Sequence, residues 1–150
     1  MTPPTSSLLL IVTGAHPAAE FHDRPVAYGL QQRIQQWLSN RSGNDASATP
    51  IVSLVVSDVW YLNDEELRRR PTISIGGPAT NALTAFLADK LPSAFVIDDQ
   101  LMVQLDVSFQ ELMVCAWGRD AAQTAAAVEA FADRYLERYL EAIEENDERG

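Results

Sequence analysis

Basic side chains are scarce in this chain. Lys and Arg together number 11 against 21 Asp and Glu, which gives a net charge of −10 and a pI near 4.5. A nucleic-acid backbone is bound by concentrated lysine and arginine that displace its counterions, so nucleic acid is not an expected partner. Long apolar runs are missing too: no stretch approaches the roughly 18 continuous apolar residues that span a bilayer, and no membrane role is expected. The first apolar run, Leu8 to Val12, is five residues long with no basic residue before it. That suits a strand better than a signal peptide, and the expected location is cytoplasmic. Cysteine occurs once. Cys115 can form no intramolecular disulfide, and its apolar setting "ELMVCAW" predicts a packed, unreactive thiol in a buried strand. Absent as well are the patterns G-x-x-x-x-G-K-[ST] and G-x-G-x-x-G, so neither a Walker-type triphosphatase nor an ordinary dinucleotide site is expected.

What is present suits one ordinary domain over residues 1–150. Hydrophobic residues make up 47% and charged residues 21%, and a chain of this length buries roughly 68–70% of its unfolded surface in one core. Much of the negative charge lies at one end, in Glu137, Glu141, Glu144, Glu145, Asp147 and Glu148. That predicts a solvated helix end that frays near 144–150.

The apolar periodicity predicts alternating strands and helices. Leu8–Val12 reads as a first strand, and Pro25 can open a helix whose face carries Val26, Leu30, Ile34, Trp37 and Leu38. A polar, small-residue stretch near 39–50 reads as a flexible loop. "IVSLVVSD" is a second strand, followed by a short helix that Asn63 can cap with Glu66 three residues on; the pairs Glu65/Arg69 and Glu66/Arg70 favour it. "TISIG" is a third strand, and Leu83, Phe86, Leu87 and Leu91 form the face of the next helix. "SAFVIDD" makes a fourth strand, and "LMVQLDV" and "ELMVCAW" flank a turn as an antiparallel hairpin over about 101–117. Asp120 can cap a long last helix striped by Val128, Phe131, Tyr135, Leu136, Tyr139, Leu140 and Ile143. The expected fold is therefore α/β: a Rossmann-like three-layer sandwich on a mainly parallel sheet, with one hairpin and a long C-terminal helix.

In open α/β sheets ligands bind beyond the carboxyl ends of the strands, at a topological switch point. The predicted strand ends gather Thr13, Gly14 and His16, then Ser57 and Asp58, then Gly76, Gly77 and Asn81, then Asp98 and Asp99. The turn "GGPATN" allows close backbone approach at Gly76 and Gly77, with Pro78 suited to the first helical position, so that free N–H groups would face an anion. His16 can serve as a general acid or base, alone or with Ser57 and Asp58. No G-x-S-x-G elbow supports a serine nucleophile. His16, Glu20 and His22, with Asp23 beside them, form a metal-ligand candidate of unstandard spacing. Trp60–Tyr61 and Trp117–Gly118 offer rings for stacking on a planar ligand or for closing the core rim.

Two stretches, "ISIGGPATNALTAFL" and "LMVCAWGRDAAQTAAAVEAF", resemble a pattern of archaeal S-layer-like proteins: G-G-P-x-x-N at Gly76, Gly77, Pro78 and Asn81, then Gly118, Asp120, Thr124 and Ala127. The resemblance covers about a quarter of the chain by that motif count and implies a shared α/β unit in which the two turns support each other. It does not carry an activity. Three expectations about function follow. The first is a small, phosphorylated or nucleotide ligand bound by Gly14, His16, Asp58, Gly76, Gly77, Asn81 and Asp98, with His16 and Asp58 the candidate catalytic groups and no cofactor specified. The second is a non-catalytic module that binds another protein or a second copy of itself. The third is a metal-dependent hydrolase using His16, Glu20, His22 and Asp58.

Overall fold

A computed structural model describes residues 7–42 and 51–149. Among the described residues six strands and five helices follow one another: β1 (Ser7–Thr13), α1 (Pro17–Ser42), β2 (Ile51–Ser57), α2 (Asp58–Leu62), α3 (Glu65–Arg68), β3 (Thr72–Ile75), α4 (Ala82–Leu87), β4 (Ser93–Ile97), β5 (Leu101–Leu105), β6 (Met113–Gly118) and α5 (Ala121–Arg149). The strands form one mixed sheet in the order β2-β1-β3-β6-β5-β4. Parallel pairing joins β2, β1, β3 and β6, and β5 runs antiparallel to both β6 and β4. The expected hairpin over 101–117 is therefore β5–β6. The protein is an α/β chain with a long C-terminal helix.

Alternation along the strands divides the core in two. Leu9 and Ile11 of β1, Ile73 and Ile75 of β3, and Val114 and Ala116 of β6 pack with Ile34 of α1 and with Phe131, Leu136 and Tyr139 of α5. Their neighbours Leu10, Val12 and Cys115 pack instead with Tyr61, Leu67, Leu83 and Leu87 from α2, α3 and α4. Each large side chain buried this way contributes roughly 1.5–3 kcal/mol. The α5 stripe lies as its spacing predicts, with Phe131, Tyr139, Leu140 and Ile143 at most 1% exposed. Its two tyrosines donate from the core rim to backbone carbonyls, Tyr139 to Leu112 at 2.9 Å and Tyr135 to Ala94 at 3.2 Å.

Several element starts differ from expectation. The helix predicted to open at Pro25 opens at Pro17, and Pro25 lies within it. His16 caps it, its Nδ1 accepting the Ala18 N–H at 3.1 Å. Pro25 is tolerated because it faces solvent, as does Phe21, whose carbonyl loses its helical donor. The expected loop near 39–50 begins later than predicted, since α1 runs to Ser42, and its remainder, 43–50, lies outside the described residues. After β2 there are two helical turns: Ser57 caps α2, and Asp64 rather than Asn63 caps α3, accepting from Glu66 and Leu67 N–H. Asn63 closes α2 instead. The Glu66–Arg70 ion pair forms at 3.2 Å. Phe86, expected on the buried face of α4, is 51% exposed, with the Lys90 ammonium 3.9 Å from its ring centre.

Candidate functional site

The sheet order places a switch point between β1 and β3: from β1 the chain crosses to β2 on one side and then to β3 on the other. Gly14, Asp58, Gly76, Gly77 and Asn81 come together here, at the carboxyl ends of β2, β1 and β3. Asp58 and Asn81 reach neighbouring elements by hydrogen bonds. Asp58 is 5% exposed. Its Oδ1 accepts the N–H of Ala15 at 3.0 Å and of Val59 at 2.8 Å, and its Oδ2 accepts the N–H of Ala82 at 2.8 Å. Asn81, at 1% exposure, accepts at Oδ1 from the Leu83 and Thr84 N–H groups, and its amide donates to the carbonyls of Ile75 at 2.8 Å and Val12 at 3.4 Å.

These bonds change the reading of the glycine turn. Pro78 does not open the helix; α4 starts at Ala82 after Asn81, and the N–H groups of Ala82, Leu83 and Thr84 are all taken by protein oxygens. The free N–H groups that an anion would need are occupied, with the Asp58 carboxylate in the place of the anion. The loops are also closed sterically. A Cβ on Gly14 would run into the Thr80 carbonyl, so the β3–α4 loop lies directly on the β1–α1 loop. Gly76 adopts φ 109°, a conformation that only glycine holds without strain.

The remaining candidates stand apart. His16 is exposed at the start of α1 and serves as its cap, while Ser57 caps α2 by accepting the Trp60 N–H at 3.2 Å. Among the described residues no hydrogen bond joins Ser57, His16 and Asp58. Glu20 pairs with Arg24 at 3.2 Å, and His22 sets its ring against Phe21. Two residues apart on a helix, Glu20 and His22 diverge by about 200° and do not face each other. Asp98 lies in the β4–β5 turn, three strands from β3, or roughly 14 Å at the usual strand spacing. It shares the edge of the sheet with Asp58 and Asn81 but does not meet them.

Asp98 has other neighbours. Val96, Met102 and Trp117 are cross-strand partners on β4, β5 and β6 and form an apolar row on the face away from α5. With Asp98, Asp99, Gln100 and Arg119 they line an open depression of about 450 Å³. The Arg119 N–H donates to the Gln100 carbonyl at 2.9 Å and fixes the rim. Trp117 also adjoins the glycine turn, its Cδ1 lying 3.4 Å from where a Cβ on Gly77 would stand. The second turn is braced in the same manner, Gly118 donating its N–H to Thr124 Oγ1 at 3.0 Å and Asp120 capping α5 through Gln123 N–H at 2.8 Å.

One carboxylate that the sequence places only beside the metal-ligand candidate is buried. Asp23 is 7% exposed, and burial raises its pKa above the usual carboxylate range, an effect that nearby His22 opposes. It lies in the buried row Ala19, Asp23, Ala27, Leu30, Ile34 of α1. That row is visible in the sequence only if the helix opens at Pro17. Among the described residues no three His, Cys, Asp or Glu side chains are grouped to hold a metal ion, and no helix is long and apolar enough to cross a membrane. No protein-family model matches this chain, and no curated protein matches it either.

Proposed function

We propose that this is a Rossmann-like, three-layer α/β protein of the cytoplasm that binds a small ligand at the carboxyl edge of its sheet, in the depression beside Trp117. The observation that carries this reading is the row Val96, Met102 and Trp117, an apolar floor open to solvent with Asp98, Asp99 and Arg119 around it. Concave apolar surface with a few polar groups at its rim is the usual form of a small-molecule site. Two carboxylates against one guanidinium favour a planar ligand that is neutral or cationic over a phosphate. A cationic ring also suits the face of a tryptophan. Asp58, Gly14, Gly76 and Asn81 contribute by fixing the loops next to this site. No reaction follows from the arrangement.

Thermal-shift measurements against aromatic amines, nucleosides, nucleotides, sugar phosphates and divalent metals test this proposal. An aromatic amine or nucleoside is expected to raise Tm, and Trp117→Ala should abolish the rise while the protein stays folded. No shift with any of these compounds, or a shift that survives Trp117→Ala, would overturn it.

A second reading, an assembly module, is favoured by one observation. The edge strand β2 carries no charged residue and exposes Val52 at 43% and Leu54 at 41%. An uncharged edge strand can pair with another strand. Light scattering decides between the two: a monomer at all concentrations removes the assembly reading.

A further inference from the structure

The two edges of the sheet differ. At β2 one main-chain carbonyl, that of Ser53, is taken by the Gln31 amide of α1 at 2.9 Å. At β4, the edge strand on the other side, the Gln100 N–H bonds back to the Ile97 carbonyl at 2.9 Å. Ile97 therefore turns its main chain toward β5, and alternation turns the N–H and C=O of Val96 outward. The Ala94 carbonyl accepts from the Tyr135 hydroxyl. Among the described residues no strand or helix pairs with the outward groups of Val96. Side chains are uncovered on both faces of the strand at this point: Val96, beside Met102, is 43% exposed, and Ile97, on the face of Phe95 and α5, is 40% exposed. Residues 91–97 carry no charge, in a chain whose net charge of −10 otherwise keeps copies apart.

A strand that presents one N–H and one C=O outward at its centre is complementary to itself. On a two-fold axis two such residues face each other and exchange both hydrogen bonds, which is the closely bonded pair of an antiparallel ladder. We infer that two copies of this chain pair β4 against β4, antiparallel, with the two-fold axis at Val96. The register follows from that axis. Val96 lies against the partner subunit's Val96 and Ile97 against the partner's Phe95, so both exposed side chains gain a cross-strand neighbour. Asp98 and Asp99 fall beside the partner's Ala94 and Ser93, which are uncharged, and the two acidic turns lie at opposite ends of the contact. A parallel pairing would instead set the carboxylates side by side. An axis normal to the sheet keeps like faces together, so the row Trp117, Met102, Val96 runs on into its copy, and the partner's Val96 closes the open side of the depression beside Trp117. The pairing rests on the strand edge alone and stands whether or not a ligand binds there.

Sedimentation equilibrium of the full chain tests this. A contact along one short strand is well below the roughly 800 Å² per partner of a standard interface, so a monomer–dimer equilibrium with Kd on the order of 10–100 µM is expected. Val96→Lys and Val96→Glu each set like charges opposite one another and should raise Kd about tenfold or more. An equimolar mixture of the two variants should dimerise again, because residue 96 faces only its own copy. Val52→Lys, on the β2 edge, should leave Kd unchanged. Should either variant at position 96 fail to fold, hydrogen exchange of the Val96 amide in the unaltered protein gives the same decision, since it should slow as concentration rises. A monomer up to about 1 mM, a dimer that Val96→Lys leaves intact or that Val52→Lys removes, a mixture that stays monomeric, or Val96 exchange indifferent to concentration would each overturn the inference.

Discussion

Asp58 and Asn81 divide between them the three leading N–H groups of α4: the carboxylate takes Ala82, and the amide oxygen takes Leu83 and Thr84. The two residues come from different segments, Asp58 from the start of α2 and Asn81 from the β3–α4 loop, and each also reaches a second element. Asp58 accepts from Ala15 in the β1–α1 loop, and Asn81 donates to carbonyls at the ends of β1 and β3. The carboxyl edge on this side of the sheet is thus held by a network of charged and amide groups. It has the composition of a binding site but spends it on itself.

Removing Asp58 should therefore register as lost stability. Asp58→Ala leaves the Ala15, Val59 and Ala82 N–H groups without this acceptor, a loss of about 2–4 kcal/mol. Asp58→Asn keeps one good acceptor and should cost about half as much. Urea unfolding followed by circular dichroism measures both. Unchanged midpoints would show that the carboxylate is free for another role.

Gly76 makes a second, separable prediction. Gly76→Ala combines strain at φ 109° with a Cβ 2.6 Å from Asp23 Oδ2, and the backbone part alone costs about 1–3 kcal/mol. The double variant Gly76→Ala/Asp23→Ala should recover the contact part and keep the backbone part. A double-mutant cycle on urea midpoints reads this as a coupling between the two positions. Additive effects would mean that the carboxylate does not press on the turn. Gly77→Ala, whose Cβ would only touch Trp117 at 3.4 Å, should be milder.

The elements were largely legible, and the way the site residues are used was not. Apolar runs gave the four parallel strands their place because buried parallel strands need them, and the α5 stripe is long enough for its period to be unmistakable. The start of α1 was ambiguous because Pro17 and Pro25 both suit a first helical turn. A helix that opens at Pro25 leaves Asp23 in a loop, where a carboxylate is ordinary; on the helix it stands in a row of alanines and aliphatics, where it is not. Asp58 and Asn81 were picked out correctly as polar groups at strand ends. Sequence could not show that their partners are backbone N–H groups of adjoining loops, because those contacts span 43 and 24 residues for Asp58 and up to 69 for Asn81. Asp98 was grouped with them because strand order, which sets its distance, is not written in local pattern.

The β5–β6 connection carries a pH dependence. Asp106 accepts from the Ser108 N–H and hydroxyl and from the Gln110 and Glu111 N–H groups, and these bonds, the Ser108 hydroxyl first among them, hold its pKa down at about 2 from 3.8. A depressed carboxylate stabilises the folded state above its unfolded pKa and loses that contribution as pH falls through the folded value. Stability should therefore drop between roughly pH 4 and pH 2. Asp106→Asn should lower the urea midpoint at pH 5 and flatten this acid limb. An acid limb of the same slope in the variant would assign it to other carboxylates.

Cys115 tests whether the middle of the sheet opens. Its side chain is 0% exposed in the cluster on the α2–α4 face, and burial pushes its thiol up to about 12, partly offset by a hydrogen bond with Thr84. Only the thiolate is nucleophilic, and at pH 8 it is a fraction on the order of one in 10⁴. A disulfide reagent such as Ellman's should then leave the native protein unmodified over the time that a model thiol reacts fully. Modification should accelerate steeply with urea, in step with global unfolding, because β6 is bracketed by β3 and β5 and has no edge of its own to fray. Cys115→Ala should cost only about 1 kcal/mol, the loss of one small buried group. Rapid labelling in native buffer would mean that α4 lifts from the sheet on its own, and that the brace formed by Asp58 and Asn81 is weaker than its bonds imply.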